Sequence, residues 1–260
     1  MSDVKGVRVL VSGGTSGLGY AMCAELVAGG AQVVLTGRDG ARTAAAAEQL
    51  AGSGAGRAVG VAMDVRDERS VADGVAAAWE ALGGLDVLVN NAGIGMRTVN
   101  RRFMTHPQPF WAVDPDQFRD LFTTNVTGYF LLARAVAPAM IEAGKGKIIN
   151  VSVSESTTRR VGFIPYGPSR AATDALSHVM AADLAGTGVT VNLLAPGGAT
   201  ATGMIPDDIA EDARSGLLDP AIMGPPIRWL ASADSDGITD YRVVATDFAK
   251  GVRPKPATPE

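Results

Sequence analysis

Short β-branched runs alternate with longer Ala- and Leu-rich stretches of helical period along nearly the whole chain. The apolar runs fall at 7–11, 32–36, 60–63, 85–89, 147–151, 189–194 and 242–245. Helical periodicity covers 17–28, 40–50, 68–82, 115–143, 165–184 and 220–230. Such repeated alternation predicts a parallel sheet with helices on both faces. The runs Val-Leu-Val, Val-Val-Leu and Val-Leu-Val-Asn are continuous rather than alternating, as strands buried on both sides require. The expectation is one doubly wound α/β domain over residues 1–260, of Rossmann type, with a mostly seven-stranded parallel sheet.

Two connections break the rhythm. Residues 94–114 carry Phe103, His106, Pro107, Pro109, Phe110 and Trp111, and residues 197–219 are rich in Gly, Ala, Thr and acids. Connections of this length in a compact domain are usually binding loops or lids, so both are placed on the substrate side. The aromatics of the first loop either wall an apolar pocket or pack on the body of the fold. The tail 252–260 has three prolines in nine residues and is expected to fray.

Composition narrows the partners. Apolar residues make up 47% and charged residues 19%, which suits a folded enzyme, and the net charge of −4 disfavours nucleic acid. Cys23 is the only cysteine, so an internal disulfide is excluded and a cytoplasmic setting is expected. The N-terminal apolar run is short and interrupted by Arg8, which fits neither a signal peptide nor a membrane span. His106 and His178 are far apart, and with a single cysteine they give no metal-ligand spacing.

The first strand runs directly into SGGTSGLG at 12–19, which opens the first helix. Gly13 suits a tight turn, Gly17 admits a pyrophosphate close to the backbone, and Gly19 lets helix and strand approach. Unpaired N–H groups at the helix start would take the phosphates, which makes Thr15, Ser16 and Leu18 further contacts. A carboxylate commonly follows the second strand where NAD is preferred. Here Thr36-Gly37 is neutral and Arg38 comes next, so NADP(H) is favoured over NAD(H), through guanidinium contacts to a 2′-phosphate.

With NNAG at 90–93, the asparagine of TTNVTG at 125 and YGPSR at 166–170 in the same order, the sequence resembles the short-chain dehydrogenase/reductase family over nearly its whole length. The resemblance implies that Asp64 and Val65 flank an adenine and that Asn91, Ala92 and Gly93 lie beside the cofactor. It further implies that Pro196, Gly197 and a threonine, Thr200 or Thr202, run along the nicotinamide. Homo-oligomers, dimers or tetramers, are implied through the helices at 115–143 and 165–184.

The chemistry centres on Tyr166 and Arg170, one helical turn apart. Reducing a carbonyl requires a proton donor where negative charge develops, and a free phenol has a pKa near 10. A fixed cation at about 4 Å, with an effective dielectric near 20, favours the phenolate by at most about 4 kcal/mol. The family normally has lysine where this chain has Arg170, which keeps the charge but changes the shape. The family serine falls by count on Val153; Ser154 is the leading candidate to polarise the carbonyl, with Ser152 in reserve. Asn125 is the implied support of a proton path, while Asn150 reads as structural.

The leading expectation is a hydride transfer between NADP(H) and a small alcohol/ketone pair, with Asn125, Ser154, Tyr166 and Arg170 as the catalytic set. A cofactor-binding regulator without turnover and a non-redox dehydratase or epimerase are the alternatives. No membrane association is expected.

Overall fold

The computed structural model describes residues 1–52, 54–252 and 254–256. In chain order the elements are β1 (Arg8–Val11), α1 (Gly17–Ala28), β2 (Gln32–Gly37), α2 (Gly40–Ala51), β3 (Arg57–Ala62) and α3 (Glu68–Leu82). They continue with β4 (Val87–Asn90), α4 (Pro115–Phe122), α5 (Gly128–Glu142), β5 (Gly146–Val151), α6 (Glu155–Thr158) and α7 (Tyr166–Asp183). The chain closes with β6 (Val189–Ala195), α8 (Glu211–Ser215), α9 (Gly224–Ala231), β7 (Tyr241–Val244), α10 (Ala245–Ala249) and β8 (Lys255–Pro256).

The sheet order is β3-β2-β1-β4-β5-β6-β7-β8, with every pair parallel except β7 with β8. The expected seven parallel strands are present, and an eighth is added at the edge. The tail contributes it: Lys255 and Pro256 pair with Arg242 and Tyr241, where a proline's missing N–H is tolerated. Residues 253 and 257–260 of the tail lie outside the described residues.

Alternate strand residues feed two apolar layers, as the two-residue side-chain period demands. Val9, Val11, Val33 and Leu35 pack with α1, α2 and α9 on one face. Leu10, Val34, Leu88 and Ile148 pack with α3, α5 and α7 on the other. Cys23 belongs to the first layer, and burial raises its thiol pKa well above the ordinary range. Chain order reverses direction between β1 and β4, so a crevice opens outside their carboxyl ends.

The helix expected over 115–143 is interrupted. A π-turn at Thr123–Thr127 separates α4 from α5 and contains Asn125. Thr123 and Thr124 hydroxyls donate to the carbonyls of Arg119 and Asp120, four residues back, at 2.8 Å each. Back-bonding of this kind bends helices, and wide turns occur often at functional positions. Among the described residues, no helix is long and apolar enough to cross a membrane.

Candidate active site

The crevice at the strand ends is a cleft of about 1260 Å³. It collects Gly13, Thr15, Ser16, Gly17, Leu18, Gly19, Arg38, Asp64, Val65, Asn91, Ala92, Gly93, Ser154, Tyr166, Arg170, Pro196, Gly197, Thr200 and Thr202. Asn125 does not line it but lies directly behind Gly93.

At one end the glycine loop leaves β1 in a left-handed turn, with φ of 67° at Gly13 and 56° at Gly17. A Cβ on Gly19 would stand 2.2 Å from the Gly13 carbonyl oxygen, so only glycine lets α1 approach this closely. The buried Ser12 hydroxyl accepts the N–H groups of Asn91 and Ala92 at 3.0 Å and donates to the Val89 carbonyl. The Asn91 amide donates back to the carbonyls of Ser12 and Gly13 at 3.0 Å. The NNAG turn and the glycine loop thus hold each other. Ser12 was not among the sequence candidates, although it is the first residue of the glycine loop.

Arg38 lines the same end and is joined by Arg42, from the first turn of α2. The carboxylate of Asp39 caps that helix by accepting the Arg42 N–H. The four-residue spacing of Arg38 and Arg42 across this cap is a readable signal for a second cation. Asp64 bonds the Arg66 guanidinium at 2.7 Å. That bond, reinforced by the charges of Arg66 and Arg38, lowers the Asp64 pKa below its ordinary value.

The glycine-lined turn, the start of α1 and the arginines Arg38 and Arg42 line one cleft, a donor set that fits the phosphates of a dinucleotide.

At the middle of the cleft Tyr166 opens α7, and its ring centroid lies 5.4 Å from the Arg170 guanidinium carbon. Arg170 is only 3% exposed. Its Nη1 donates to the Tyr129 hydroxyl at 3.0 Å and to the Val151 carbonyl at 3.2 Å. Tyr129, fully buried, donates in turn to the Val151 carbonyl at 3.1 Å. Burial opposes the charge on Arg170, but the Tyr129 and Tyr166 phenols outweigh it and raise its pKa further. Burial raises the Tyr129 pKa despite the opposing pull of Arg170. Arg170 is a permanent cation here. Its Nε has no partner among the described residues, and Nη2 would stand 2.5 Å from a Cβ placed on Gly93.

Asn125 is fully buried and engages the turn after NNAG. Its Oδ1 accepts the Ile94 N–H at 2.9 Å, and its Nδ2 donates to the Ile94 carbonyl at 3.0 Å and to the Ser169 hydroxyl at 3.2 Å. Asn150 is structural: it accepts from Asn90 and donates to Ser177. His178 lies outside the cleft, paired with Asp240 at 2.6 Å.

Both serines lie just past the end of β5 and line the cleft. Ser152, 2% exposed, donates to Asp174, which also pairs with Arg242. Ser154 lies past the strand, half-buried against the cleft, and its hydroxyl makes no capping bond to α6. Thr202 packs beside Gly17, whereas Thr200 is buried and donates to the Gly198 carbonyl.

Of the loop aromatics, Phe103 is buried against Phe163 and lines the cleft. Phe110 and Trp111 neither wall the cleft nor pack on the fold: they are 64% and 77% exposed and touch each other edge-on. Arg97 ties the two long loops together through Asp207 at 2.8 Å and the carbonyls of Gly203 and Ile205.

Residues 7–212 match the short chain dehydrogenase family. The gluconate 5-dehydrogenase of Gluconobacter oxydans (strain 621H) is 36% identical over 200 residues, 75% of this chain and 72% of that one. Among solved structures, the 3-oxoacyl-[acyl-carrier protein] reductase of Brucella melitensis ATCC 23457 superposes with a TM-score of 0.80 at 30% identity. It covers 93% of this chain and 90% of that one. A metagenomic short-chain oxidoreductase in complex with NADP gives a TM-score of 0.75 at 30% identity, covering 93% and 96%.

Proposed function

Because the chain belongs to the short-chain dehydrogenase/reductase family of oxidoreductases, we propose that it interconverts a small alcohol and its carbonyl compound using NADP(H), with Tyr166 as the acid/base group. The observation that carries this reading is the Tyr166 ring over the buried Arg170 cation, in one cleft with the glycine loop. The bound nicotinamide supplies or accepts the hydride. The chain's own residues do the rest.

The glycine loop and the α1 start would hold the pyrophosphate, Arg38 and Arg42 the 2′-phosphate, and Asp64 and Val65 the adenine. Asn91, Ala92 and Gly93 would line the ribose side, with Pro196, Gly197 and Thr202 along the nicotinamide. Thr200 is placed there as a supporting residue, since its hydroxyl is directed to Gly198. Toward a carbonyl oxygen, the Tyr166 hydroxyl donates its proton as negative charge develops. Arg170 favours the negative charge left behind, and its Nη2 stands against Gly93 on the ribose side. The Ser154 hydroxyl is available to polarise the same oxygen. Asn125 supports the site by fixing both backbone groups of Ile94. Exposed Phe118, Phe130, Ile141 and Val179 on α4, α5 and α7 support pairing of two copies through these helices.

The test is NADPH oxidation monitored by absorbance over a panel of ketones and aldehydes, with Tyr166→Phe alongside. The expected result is turnover in the native protein and a loss of at least about 100-fold in Tyr166→Phe, with cofactor affinity retained. Tight NADPH binding with no turnover of any carbonyl would instead indicate a cofactor-binding regulator.

A further inference from the structure

The substrate half of the cleft contains a cation that the fold leaves unmatched. Arg160 lies on the turn between α6 and α7, six residues before Tyr166. Its guanidinium carbon stands 4.7 Å from the Phe163 ring centroid. Phe163 meets Phe103 edge-on at 5.3 Å and Tyr166 at 6.5 Å. The arginine is therefore set on an aromatic platform that continues to the Tyr166 ring, and a cation over a ring face is held by attraction to it.

Charge is otherwise accounted for in this half. Arg159 pairs with Glu155, and Arg97 with Asp207 and two carbonyls. The carboxylates lining the cleft, Asp39 and Asp64, sit at the adenosine end, where Asp64 bonds Arg66. Among the described residues, no carboxylate pairs with Arg160 and no acceptor takes its guanidinium hydrogens. The side chains of Ser156 and Thr157 line the same stretch, and among the described residues nothing hydrogen-bonds their hydroxyls.

We propose that Arg160, with Ser156 and Thr157, forms a subsite for a carboxylate carried by the substrate. The preferred substrates are then small hydroxy or keto acids, with the carboxylate a short chain away from the reacting carbon. A planar guanidinium offers two parallel hydrogen bonds to a carboxylate, and the adjacent hydroxyls complete its acceptor needs. Phe103 and Phe163 wall the chain between the carboxylate and Tyr166. The assignment rests on the reading of Tyr166 as the reacting end of the cleft.

The test compares 3-oxobutanoate, 4-oxopentanoate and 5-oxohexanoate, each with its uncharged primary amide, in the native protein, Arg160→Met and Arg160→Lys. For the best-fitting length, kcat/KM should favour the acid by roughly 10- to 100-fold, mainly through KM. Arg160→Met should erase that preference without slowing the amides, and Arg160→Lys should retain part of it. Unchanged NADPH affinity shows that the variants are folded. Calorimetric titration of the same acids and amides into the NADP⁺-loaded protein reads the subsite without turnover, so failure of the hydride-transfer reading leaves it measurable. Equal binding of acid and amide, or an acid preference that survives in Arg160→Met, overturns the subsite.

Discussion

At the cofactor end of the cleft the walls are main chain, locked by part-buried hydrogen bonds between Ser12, Asn91 and the glycine loop. At the substrate end the walls are side chains on long loops, and exposed ion pairs hold those loops in place. Asp207, which anchors Arg97, is 87% exposed, and the Arg102–Asp208 pair is 60% and 35% exposed. Buried networks tolerate no missing partner, whereas exposed pairs contribute little each and weaken with salt. Changes at the first end should therefore act on all substrates alike. Changes at the second should tune which substrate is taken.

The largest effect is expected from Gly19→Ala. Its methyl would fall 2.2 Å from the Gly13 carbonyl oxygen, which is backbone, and 2.4 Å from the Asn91 Nδ2, which is held by its bonds to the Ser12 and Gly13 carbonyls. Pushing α1 off the loop should cost about 1–3 kcal/mol of stability by overpacking. It should also weaken NADPH binding by at least about 100-fold, measured by titration of cofactor fluorescence. If Gly19→Ala binds NADPH as the native protein does, the contrast between a rigid end and a tunable end fails.

Arg170 sits at the seam. Arg170→Ala removes the cation beside Tyr166 and leaves the buried Tyr129 hydroxyl and Val151 carbonyl without that donor. The rate near neutral pH should fall by about 100- to 1000-fold, because the negative charge that develops at Tyr166 during proton donation loses its neighbouring cation. Arg170→Lys should stay within about tenfold of the native rate. Tyr129→Phe should cost about 1 kcal/mol of stability for the lost hydrogen bond. It should lower kcat by less than about tenfold and leave KM unchanged, since Tyr129 acts through Arg170 rather than on substrate. Near-native turnover in Arg170→Ala would remove the cation from the mechanism.

The same contrast explains what was readable in the chain. The parallel sheet, both helix layers and the family were legible because continuous apolar strands, SGGTSGLG and NNAG depend on local spacing. Tyr129 was hidden in the apolar run GYFLLARAV, where nothing signals that its hydroxyl will meet Arg170 across the fold. Ser152 and Ser154 resisted assignment because strand alternation placed them on one face, while β5 ends at Val151 and the backbone turns between them. The interruption at Thr123–Thr127 was missed since helical periodicity runs through it. Phe110 and Trp111 were weighed with Phe103 by type alone, and only the path of the loop separates them.

The smallest effect belongs to the strap between the two long loops. Asp208 accepts from the Thr105 hydroxyl at 2.7 Å and from Arg102 at 3.3 Å. The Thr105 bond first, then Arg102, lowers its pKa below the ordinary value. A depressed carboxylate stabilises this strap above its ordinary pKa, and that contribution disappears as pH falls through the depressed value. Asp208→Asn should therefore raise KM for carbonyl substrates by about two- to fivefold at neutral pH and leave kcat and NADPH affinity unchanged. Added salt should reproduce part of the effect in the native protein but not in the variant, because only an exposed charge pair is screened. A change in NADPH affinity in Asp208→Asn would mean that the strap reaches the rigid end, and the two ends of the cleft would no longer be separable.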